Sequence, residues 1–341
     1  MATIQDVARR AKVSAATVSR VLNGNGNVDP ALARRVRAAV QALGYQPNGV
    51  ARNLRRREST LWAVIVPDVG NPFFTSMVRG VEDAAQGSGY SVVLCNSDED
   101  LGKEAGYIAA AAAERMAGVI ISPASTRDTD VTPLLDLGIP VVAVDRRLPD
   151  ASADTVLVDN ARAAEEATEH LIDMGYRRVA CITGPSQAMT ASERLAGYRQ
   201  ALERRGLDPR PALARHADFR EQGGYAAMAS LLADAIPDAV FVANNLMTIG
   251  ALECLVHQGI EVPREIGVVG FDEIPWADLV RPSLSTVAQP TYEMGKTAGQ
   301  LLTSRRATPG KRGETVVLRT TLNVRASSTP RAAGLRGTQQ G

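Results

Sequence analysis

The chain has 341 residues, which is enough for two or three domains that each bury a core. Lys and Arg number 38 and Asp and Glu number 37, so the net charge is only +1. Residues 1–60 nevertheless contain 11 Lys and Arg against 3 Asp and Glu, a net charge of +8, which leaves −7 on residues 61–341. Positive charge confined to one end indicates a polyanion-binding head on an acidic body.

Several classes of protein are disfavoured. The three cysteines and three histidines are scattered without metal or redox spacing, so we expect free thiols and structural histidines and predict neither a metal nor a cofactor. Phosphate-binding glycine loops, HExxH and GxSxG are missing, which argues against an enzyme. The polar N-terminus and the lack of a long apolar run predict a cytoplasmic protein with no export signal and no membrane span.

Residues 3–44 have the pattern of three short helices. Thr3, Ser14 and Asp29 can each cap a helix, and Gly44 can end the third one. Only residues 11–13 separate the first helix from the second, which is typical of a helix-turn-helix. Because the second helix of such a pair lies in the major groove, this pattern predicts a DNA-binding head.

Residues 46–60, QPNGVARNLRRREST, connect the head to the body. After Pro47 the sequence can form a helix of one or two turns, which would be marginal alone in water. We expect it to form only against a bent minor groove and a partner copy. Leu54 is then the candidate for an apolar wedge between base steps, with packing of Leu54 on the head as the alternative.

The body alternates apolar runs with helical stretches. Seven runs are predicted strands: LWAVIVPDV, YSVVLCNS, GVIISPAS, PVVAVDRR, RRVACITGP, DAVFVANN and EIGVVGFDE. Helices are predicted at 74–87, 161–174, 190–205 and 247–258. Buried strands separated by helices favour parallel sheets covered on both faces.

Polar and aromatic residues follow these strands, where parallel sheets bind ligands. Aromatic faces suit the C–H faces of a sugar, and carboxylate, guanidinium and amide groups suit its hydroxyls. Taken singly, each residue has a structural alternative, such as a helix start, an ion pair or a loop cap. The candidate effector-binding set is Asn71, Phe73, Phe74, Asp145, Arg146, Arg194, Phe219, Asn244, Asn245, Asp272 and Gln289.

The run DVARRAKVSAATVSRVLNGNGNVDPALARRVRAAVQALGYQPNGVARNL strongly resembles the head and hinge of the lactose-repressor (LacI) family of bacterial transcription factors. The likeness continues to about residue 328. It implies a homodimer that reads a near-palindromic operator in double-stranded DNA. It also implies that paired hinge helices insert Leu54 from each chain at a central base step.

The resemblance also implies which residues contact DNA. Ala15, Ala16 and Arg20 occupy the base-reading positions; arginine can bond guanine bidentately, whereas alanine offers only methyl contact. Specificity should therefore depend on Arg20, the Leu54 wedge and DNA deformability. Positions that contact phosphates or base edges are held by Ser14, Thr17, Ser19, Asn23 and Asn27, and the predicted DNA-binding set also includes Thr3, Ala51 and Leu54.

For the body, the resemblance implies the fold of periplasmic sugar-binding proteins, with ribose repressors closest in appearance. Ten of the eleven candidate residues are compatible with a sugar cleft, but Asn245 stands where the family usually has aspartate. The expected effector is ribose or a related aldose that releases the protein from its operator. A nucleoside, a purine, a sugar acid or a phosphorylated sugar, acting as inducer or corepressor, is the alternative.

The predicted fold class is an N-terminal all-α helix-turn-helix domain plus an α/β periplasmic-binding-protein-like core of two parallel-sheet subdomains. The divisions are a head at 1–46, a hinge helix and linker at 47–60, an effector-binding and dimerisation core at 61–328, and a disordered tail at 329–341. The subdomains span about 61–159 plus 291–320, and 162–288. The tail shows no apolar heptads, which favours a dimer over a tetramer. We expect a nucleoid-associated repressor.

Overall fold

In a computed structural model, which describes residues 2–23, 28–45, 59–149, 152–308 and 312–329, the chain divides into two units. The N-terminal unit is Met1–Ser59 and the C-terminal unit is Thr60–Gly341. Of the predicted hinge helix and linker at 47–60, residues 47–58 lie outside the described residues, and so do residues 330–341 of the predicted disordered tail at 329–341.

The N-terminal unit contains three helices, as predicted: α1 Ile4–Ala11, α2 Ala15–Asn23 and α3 Pro30–Leu43. The Thr3 hydroxyl accepts the Asp6 backbone N–H at 3.3 Å, and the Asp6 carboxylate accepts the Thr3 N–H at 2.9 Å. This reciprocal capping box satisfies two N–H groups that the start of α1 would otherwise leave free. Lys12, in the left-handed region at φ 51°, ends α1.

A small apolar core holds these helices together. Its fully buried members are Val7, Ala8, Ala11, Val18, Val36 and Ala39. The Arg35 guanidinium on α3 donates to the main-chain carbonyls of Ala11 and Lys12. These bonds satisfy carbonyls at the end of α1 and fix the turn that leads into α2.

The C-terminal unit is built from two sheets. The chain first forms β1 Leu61–Val66, α4 Pro72–Gly87, β2 Ser91–Asn96, α5 Leu101–Ala113, β3 Gly118–Ile121, α6 Thr132–Leu135, β4 Val141–Val144 and β5 Asp154–Val158. It continues through α7 Asn160–Asp173, β6 Val179–Thr183, α8 Met189–Arg204, β7 Ala214–His216, α9 Glu221–Asp234, β8 Ala239–Val242, α10 Asn245–His257, β9 Gly267–Phe271 and β10 Ser285–Ala288. It ends with α11 Thr291–Ala307, β11 Thr315–Leu318, β12 Thr321–Asn323 and a 3₁₀ turn at Ala326–Ser328.

The order in the first sheet is β11-β5-β4-β3-β1-β2, with every pair parallel. In the second sheet it is β12-β10-β9-β8-β6-β7, and only β12 is antiparallel to its neighbour. We call 61–158 plus 291–318 the first lobe and 160–288 plus 321–328 the second lobe. The chain therefore crosses between the lobes three times.

The seven predicted strands and four predicted helices are present, with helix starts shifted by one or two residues. Five strands were missed: β5, β7, β10, β11 and β12. They are three to five residues long and carry polar residues such as Asp154 and Thr315, so they lack a long apolar run. Their pairing comes from the neighbouring strands rather than from their own pattern.

The scattered cysteines are free thiols, as expected, although Cys95 is only partly buried. Among the described residues, no group of three His, Cys, Asp or Glu side chains could hold a metal ion. No described helix is long and apolar enough to cross a membrane.

Helix pairs in both lobes approach closely at glycines. A Cβ atom on Gly250 of α10 would lie 1.8 Å from the main-chain oxygen of Glu221 at the start of α9. In the first lobe, a Cβ atom on Gly295 of α11 would lie 1.9 Å from the main-chain oxygen of Met77 on α4. Backbone cannot yield as a side chain can, so these contacts require glycine.

We expect Gly250→Ala to lower the free energy of unfolding by about 1–3 kcal/mol, because the methyl group forces α9 and α10 apart. Gly106→Ala is the matched control: Gly106 also lies inside a helix, but a Cβ atom there would have nothing within 4 Å. Gly106→Ala should raise the free energy of unfolding by up to about 1 kcal/mol, because alanine has a higher helix propensity than glycine. Urea unfolding measures both values, and equal effects would contradict the close-approach argument.

Candidate functional site

The cap of α2 and the packing of α2 on the head core determine which of its side chains are exposed. The Ser14 hydroxyl accepts the Thr17 backbone N–H at 3.1 Å and so starts the helix. Ala16 and Arg20 are exposed and four residues apart, so they share one face of α2. Ala15 is partly buried against the head core. The exposed face that Ala16 and Arg20 share therefore presents one methyl group and one guanidinium.

The other predicted DNA contacts have mixed environments. The Thr3 hydroxyl is engaged with the Asp6 carboxylate at 2.7 Å, and that of Thr17 with Ser14 at 2.9 Å. Ser19 is partly buried. Asn27, Ala51 and Leu54 and the side chain of Asn23 lie outside the described residues, so the wedge hypothesis for Leu54 stays a prediction.

A cavity of about 60 Å³ lies between the two lobes of the C-terminal unit. The residues that line it follow β1, β2, β4, β7, β8, β9 and β10, or lie on nearby helices. Ten of the eleven predicted effector residues line this cavity: Asn71, Phe73, Phe74, Asp145, Arg146, Arg194, Phe219, Asn244, Asp272 and Gln289. The structure thus brings together residues up to 218 positions apart, from Asn71 to Gln289. Their role as ligand contacts stays a prediction.

Asp145 and Arg146 form one polar corner of the cavity. The Arg146 guanidinium donates two bonds to the Glu99 carboxylate, at 2.6 and 2.7 Å, and its Nε lies 3.4 Å from Asp145 Oδ2. Burial raises the pKa of Asp145, although Arg146 and Arg194 oppose the rise. Burial also opposes the charge of Arg146, but its bonds to Glu99 prevail and raise its pKa. The Nε of Arg146 is buried without a hydrogen-bond partner.

Asp272, Gln289 and Arg194 form the opposite corner. The Gln289 side-chain amide donates to Asp272 Oδ1 at 2.6 Å, which leaves Gln289 Oε1 buried without a partner. The Arg194 guanidinium carbon lies 3.8 Å from the centre of the Phe271 ring, and the group donates to Asn160 and to the Ala243 carbonyl. Burial raises the pKa of Asp272, opposed by Arg194, and lowers the pKa of Arg194.

Three phenylalanines give the cavity apolar faces. Phe73 and Phe74, at the start of α4, meet edge to face with ring centres 4.8 Å apart. Phe219 comes from the second lobe, and the Arg146 guanidinium carbon lies 6.0 Å from its ring centre. A Cβ atom on Gly184 would lie 2.2 Å from the Phe219 ring, so a glycine is required behind it.

Three of the lining residues have strained backbones. Asp145, Phe219 and Asp272 have φ angles of 66°, 64° and 71°, in the left-handed region that non-glycine residues seldom occupy. Each lies directly after a strand or in the loop that follows one. Such strain persists where the surrounding structure over-determines it, which is common at binding sites.

Sequence reasoning missed several lining residues: Pro67, Asp68, Glu99, Thr190, Arg220 and Leu246. Glu99 matters most because it holds Arg146 in place. It lies three residues after β2, so the rule that found Asp145 could have found it too. Asn245, the eleventh predicted residue, does not line the cavity but is buried beside it and bonded to Asn71.

Comparisons with known proteins agree with this architecture. Residues 3–48 match the profile described as bacterial regulatory proteins, lacI family, and residues 168–328 match a periplasmic binding protein-like domain. Over 306 residues the chain is 37% identical to the ribose operon repressor of Halalkalibacterium halodurans, a span that covers 89% of each protein. The chain belongs to the lacI family. As a member, it is a DNA-binding transcriptional regulator and not an enzyme, as the sequence predicts.

Two solved structures resemble this lacI-family chain. The lac repressor dimer bound to operator and the anti-inducer ONPF has a TM-score of 0.85 and 27% identity, and the match covers 96% of this chain and 99% of that one. A LacI family regulator from Enterococcus faecium with bound ribose has a TM-score of 0.72 and 29% identity, over 80% of this chain and 100% of that one. The predicted fold class is confirmed.

The buried charge of Asp272 should make stability depend on pH. Because burial raises its pKa, the folded protein keeps that proton to higher pH than the unfolded chain does, and stability is lost as pH rises through the raised pKa. Asp272→Asn removes the charge and keeps an acceptor for Gln289. We expect the stability of this variant relative to the unsubstituted protein, without ligand, to increase as pH rises from about 4, where the unfolded carboxyl titrates, and to level off above the raised pKa. The gain should be about 1.4 kcal/mol per unit of pKa rise, as measured by urea unfolding. A difference in unfolding free energy between the variant and the unsubstituted protein that does not change with pH would contradict this prediction.

Proposed function

We propose that this lacI-family regulator is a homodimeric repressor whose cavity binds a neutral aldose, ribose or a close relative, and that the sugar releases it from a near-palindromic operator. The main support is the pair of unsatisfied polar atoms in the cavity walls. Arg146 Nε is a donor without an acceptor, and Gln289 Oε1 is an acceptor without a donor. Buried polar atoms are rarely left unpaired, and a sugar hydroxyl can satisfy either kind.

Charge in the cavity favours a neutral ligand over a phosphorylated or acidic sugar. Five acidic residues line it, Asp68, Glu99, Asp145, Asp218 and Asp272, against three basic ones, Arg146, Arg194 and Arg220. Arg146 is already bonded to Glu99, and Arg194 lies in the field of Asp145 and Asp272. An anionic ligand would enter a cavity whose two buried cations, Arg146 and Arg194, already have partners and whose formal charge is negative, which is unfavourable in a desolvated site.

The shape of the lining also favours a sugar over a free purine. The Phe73 and Phe74 rings stand at 86° to each other, so they offer an edge and a face rather than two parallel faces for a flat base. The relative described with bound ribose and the relative that is a ribose operon repressor support a pentose. A nucleoside is the second candidate, because its ribose part also carries hydroxyl groups from which Asp145 and Asp272 can accept hydrogen bonds, although it lacks the anomeric hydroxyl of free ribose.

For DNA, we assign residues 1–46 to the head, 47–60 to the hinge and linker, and 61–328 to the effector-binding and dimerisation core. Arg20 is proposed to read guanine, Ala16 to contact a thymine methyl group, and Leu54 to act as the wedge in the minor groove. The solved dimer on operator DNA supports this arrangement. Such a regulator works in the cytoplasm, and we propose that it is associated with the nucleoid.

A ligand panel tests the effector. Thermal melting of the purified protein with free aldoses, phosphorylated sugars, sugar acids, purines and nucleosides should give a rise with one neutral aldose, ribose foremost. At 100 times Kd, mass action adds about 2.7 kcal/mol, which corresponds to a rise of about 5 °C or more. A rise only with a phosphorylated or acidic ligand would contradict the charge argument, and a rise only with nucleosides would favour the second candidate. Adding the stabilising ligand to a protein–operator complex then shows whether it releases or retains DNA.

Operator recognition is tested at Arg20. An operator-like site is first selected from a random palindromic DNA library with the unsubstituted protein. The Arg20→Ala variant should bind this site about 5- to 150-fold more weakly and should lose the preference for one base pair in each half-site. Arg34→Ala is the control, because Arg34 is exposed on α3 and outside the predicted DNA-binding set. It should leave base preference unchanged. Loss of affinity with intact base preference in Arg20→Ala would mean that Arg20 contacts phosphate instead.

A further inference from the structure

Asn71 and Asn245 face each other from opposite lobes. Asn71 caps α4 in the first lobe, and Asn245 is the first residue of α10 in the second lobe. The Asn71 amide donates to Asn245 Oδ1 at 3.2 Å, and the Asn245 amide donates to Asn71 Oδ1 at 2.8 Å. Both side chains are buried, at 7% and 1% exposed. This reciprocal pair joins the lobes directly beside the cavity.

We infer that the Asn71–Asn245 pair is a latch that sets effector affinity by holding the lobes closed, although Asn245 does not line the cavity. The inference rests on the proposed function, because it concerns the affinity of that cavity for its ligand. Opening of the cleft separates the two residues and breaks both bonds, so the pair stabilises the closed state alone. A ligand that binds the closed state then gains affinity from a latch it does not touch.

The latch is tied to ligand-facing groups on both sides. Asn71 Oδ1 also accepts the Phe73 backbone N–H at 3.0 Å, which fixes the start of the aromatic pair. On the other side, Asn245 Oδ1 accepts the Leu246 backbone N–H at 2.8 Å, and the backbone N–H of Asn245 donates to the Asp272 carboxylate. When the Asn71–Asn245 bonds form, they therefore fix the position of Phe73 relative to Asp272 across the cleft. Asn245 is a positioning residue that acts through these neighbours.

Two amides are required for this geometry. Each side chain supplies one donor and one acceptor to its partner, whereas a carboxylate supplies only acceptors. One aspartate leaves a single bond, and two aspartates leave none and add repulsion between like charges. An aspartate at 245 would also add negative charge next to Asp272, whose carboxylate is already buried. The paired amides thus close the cleft without adding charge to a site that is already acidic.

A double-mutant cycle tests the latch in the full-length protein. Asn71→Asp, Asn245→Asp and the double variant keep the side-chain size, and aspartate caps a helix as well as asparagine does. Ribose binding is measured by calorimetry. Each single variant should bind about 3- to 10-fold more weakly, the value of one hydrogen bond. The double variant should lose clearly more than the product of the two single losses, because it lacks both bonds and in addition places two like charges opposite each other. A double loss within twofold of that product would overturn the latch.

Matched controls and a second cycle guard against indirect effects. Gln86→Glu on α4 and Gln258→Glu after α10 make the same amide-to-carboxylate change at exposed positions near the two helices, and should leave affinity unchanged. If the double aspartate variant does not fold, Asn71→Ser with Asn245→Ser replaces it, since serine caps α4 but is too short to reach across. There the double loss should equal either single loss, and a loss equal to their product would overturn the latch.

A second readout separates failure of the latch from failure of the proposed effector. A second cavity also lies between the lobes, and Arg127 of the first lobe and Gln187 of the second lobe are exposed on opposite sides of it. Spin labels at these two positions, with Cys95 changed to Ser, report the distance between the lobes without any ligand. The double variant should shift this distance to longer values whether or not ribose binds. An unchanged distance would overturn the latch, and absence of ribose binding to the unsubstituted protein would overturn the effector alone.

Discussion

Burial of charge at the junction of two parallel sheets is the constraint on which the rest of the structure depends. Asp145, Arg146, Arg194 and Asp272 are each at most 7% exposed, in a place where isolated charges would be strongly destabilising. They are tolerated because Glu99, Gln289 and main-chain groups pair with most of their polar atoms. Arg146 Nε and Gln289 Oε1 are buried without partners in the cavity walls. Under the proposed function, the groups that make the empty cavity costly are also those that a ligand would satisfy.

The fold provides this arrangement through strand ends. Parallel strands place all their carboxyl ends on one edge, and two such edges facing each other enclose the cavity. Asp145 and Asp272 come directly after β4 and β9 with left-handed backbones, so each side chain turns out of its strand. Glycines such as Gly184 leave room for the aromatic faces between them. Small changes in one loop can therefore alter the ligand without altering the sheets.

Most of the helices and strands, and ten of the residues that line the cavity, could be predicted from the sequence. Local sequence patterns predict some elements whatever surrounds them. Examples are the helix caps Thr3 and Asp29 and the long apolar run that forms β9. Residues directly after predicted strands could be grouped because parallel topology forces them together. The Asn71–Asn245 pair could not, since it depends on which residues of the two lobes face each other across the cleft. The short strands β7 and β12 were missed because only their neighbours stabilise them.

The three crossings between the lobes have a consequence for how the protein is made. On the ribosome, the first lobe begins with β1 but cannot be completed until α11 covers α4 and β11 pairs with the edge of β5. The second lobe likewise waits for β12. Neither sheet is complete until about residue 320 has been synthesised, whereas the N-terminal helices have all their core contacts within the first 45 residues. The N-terminal unit can therefore fold while the chain is still being translated, long before either lobe is complete.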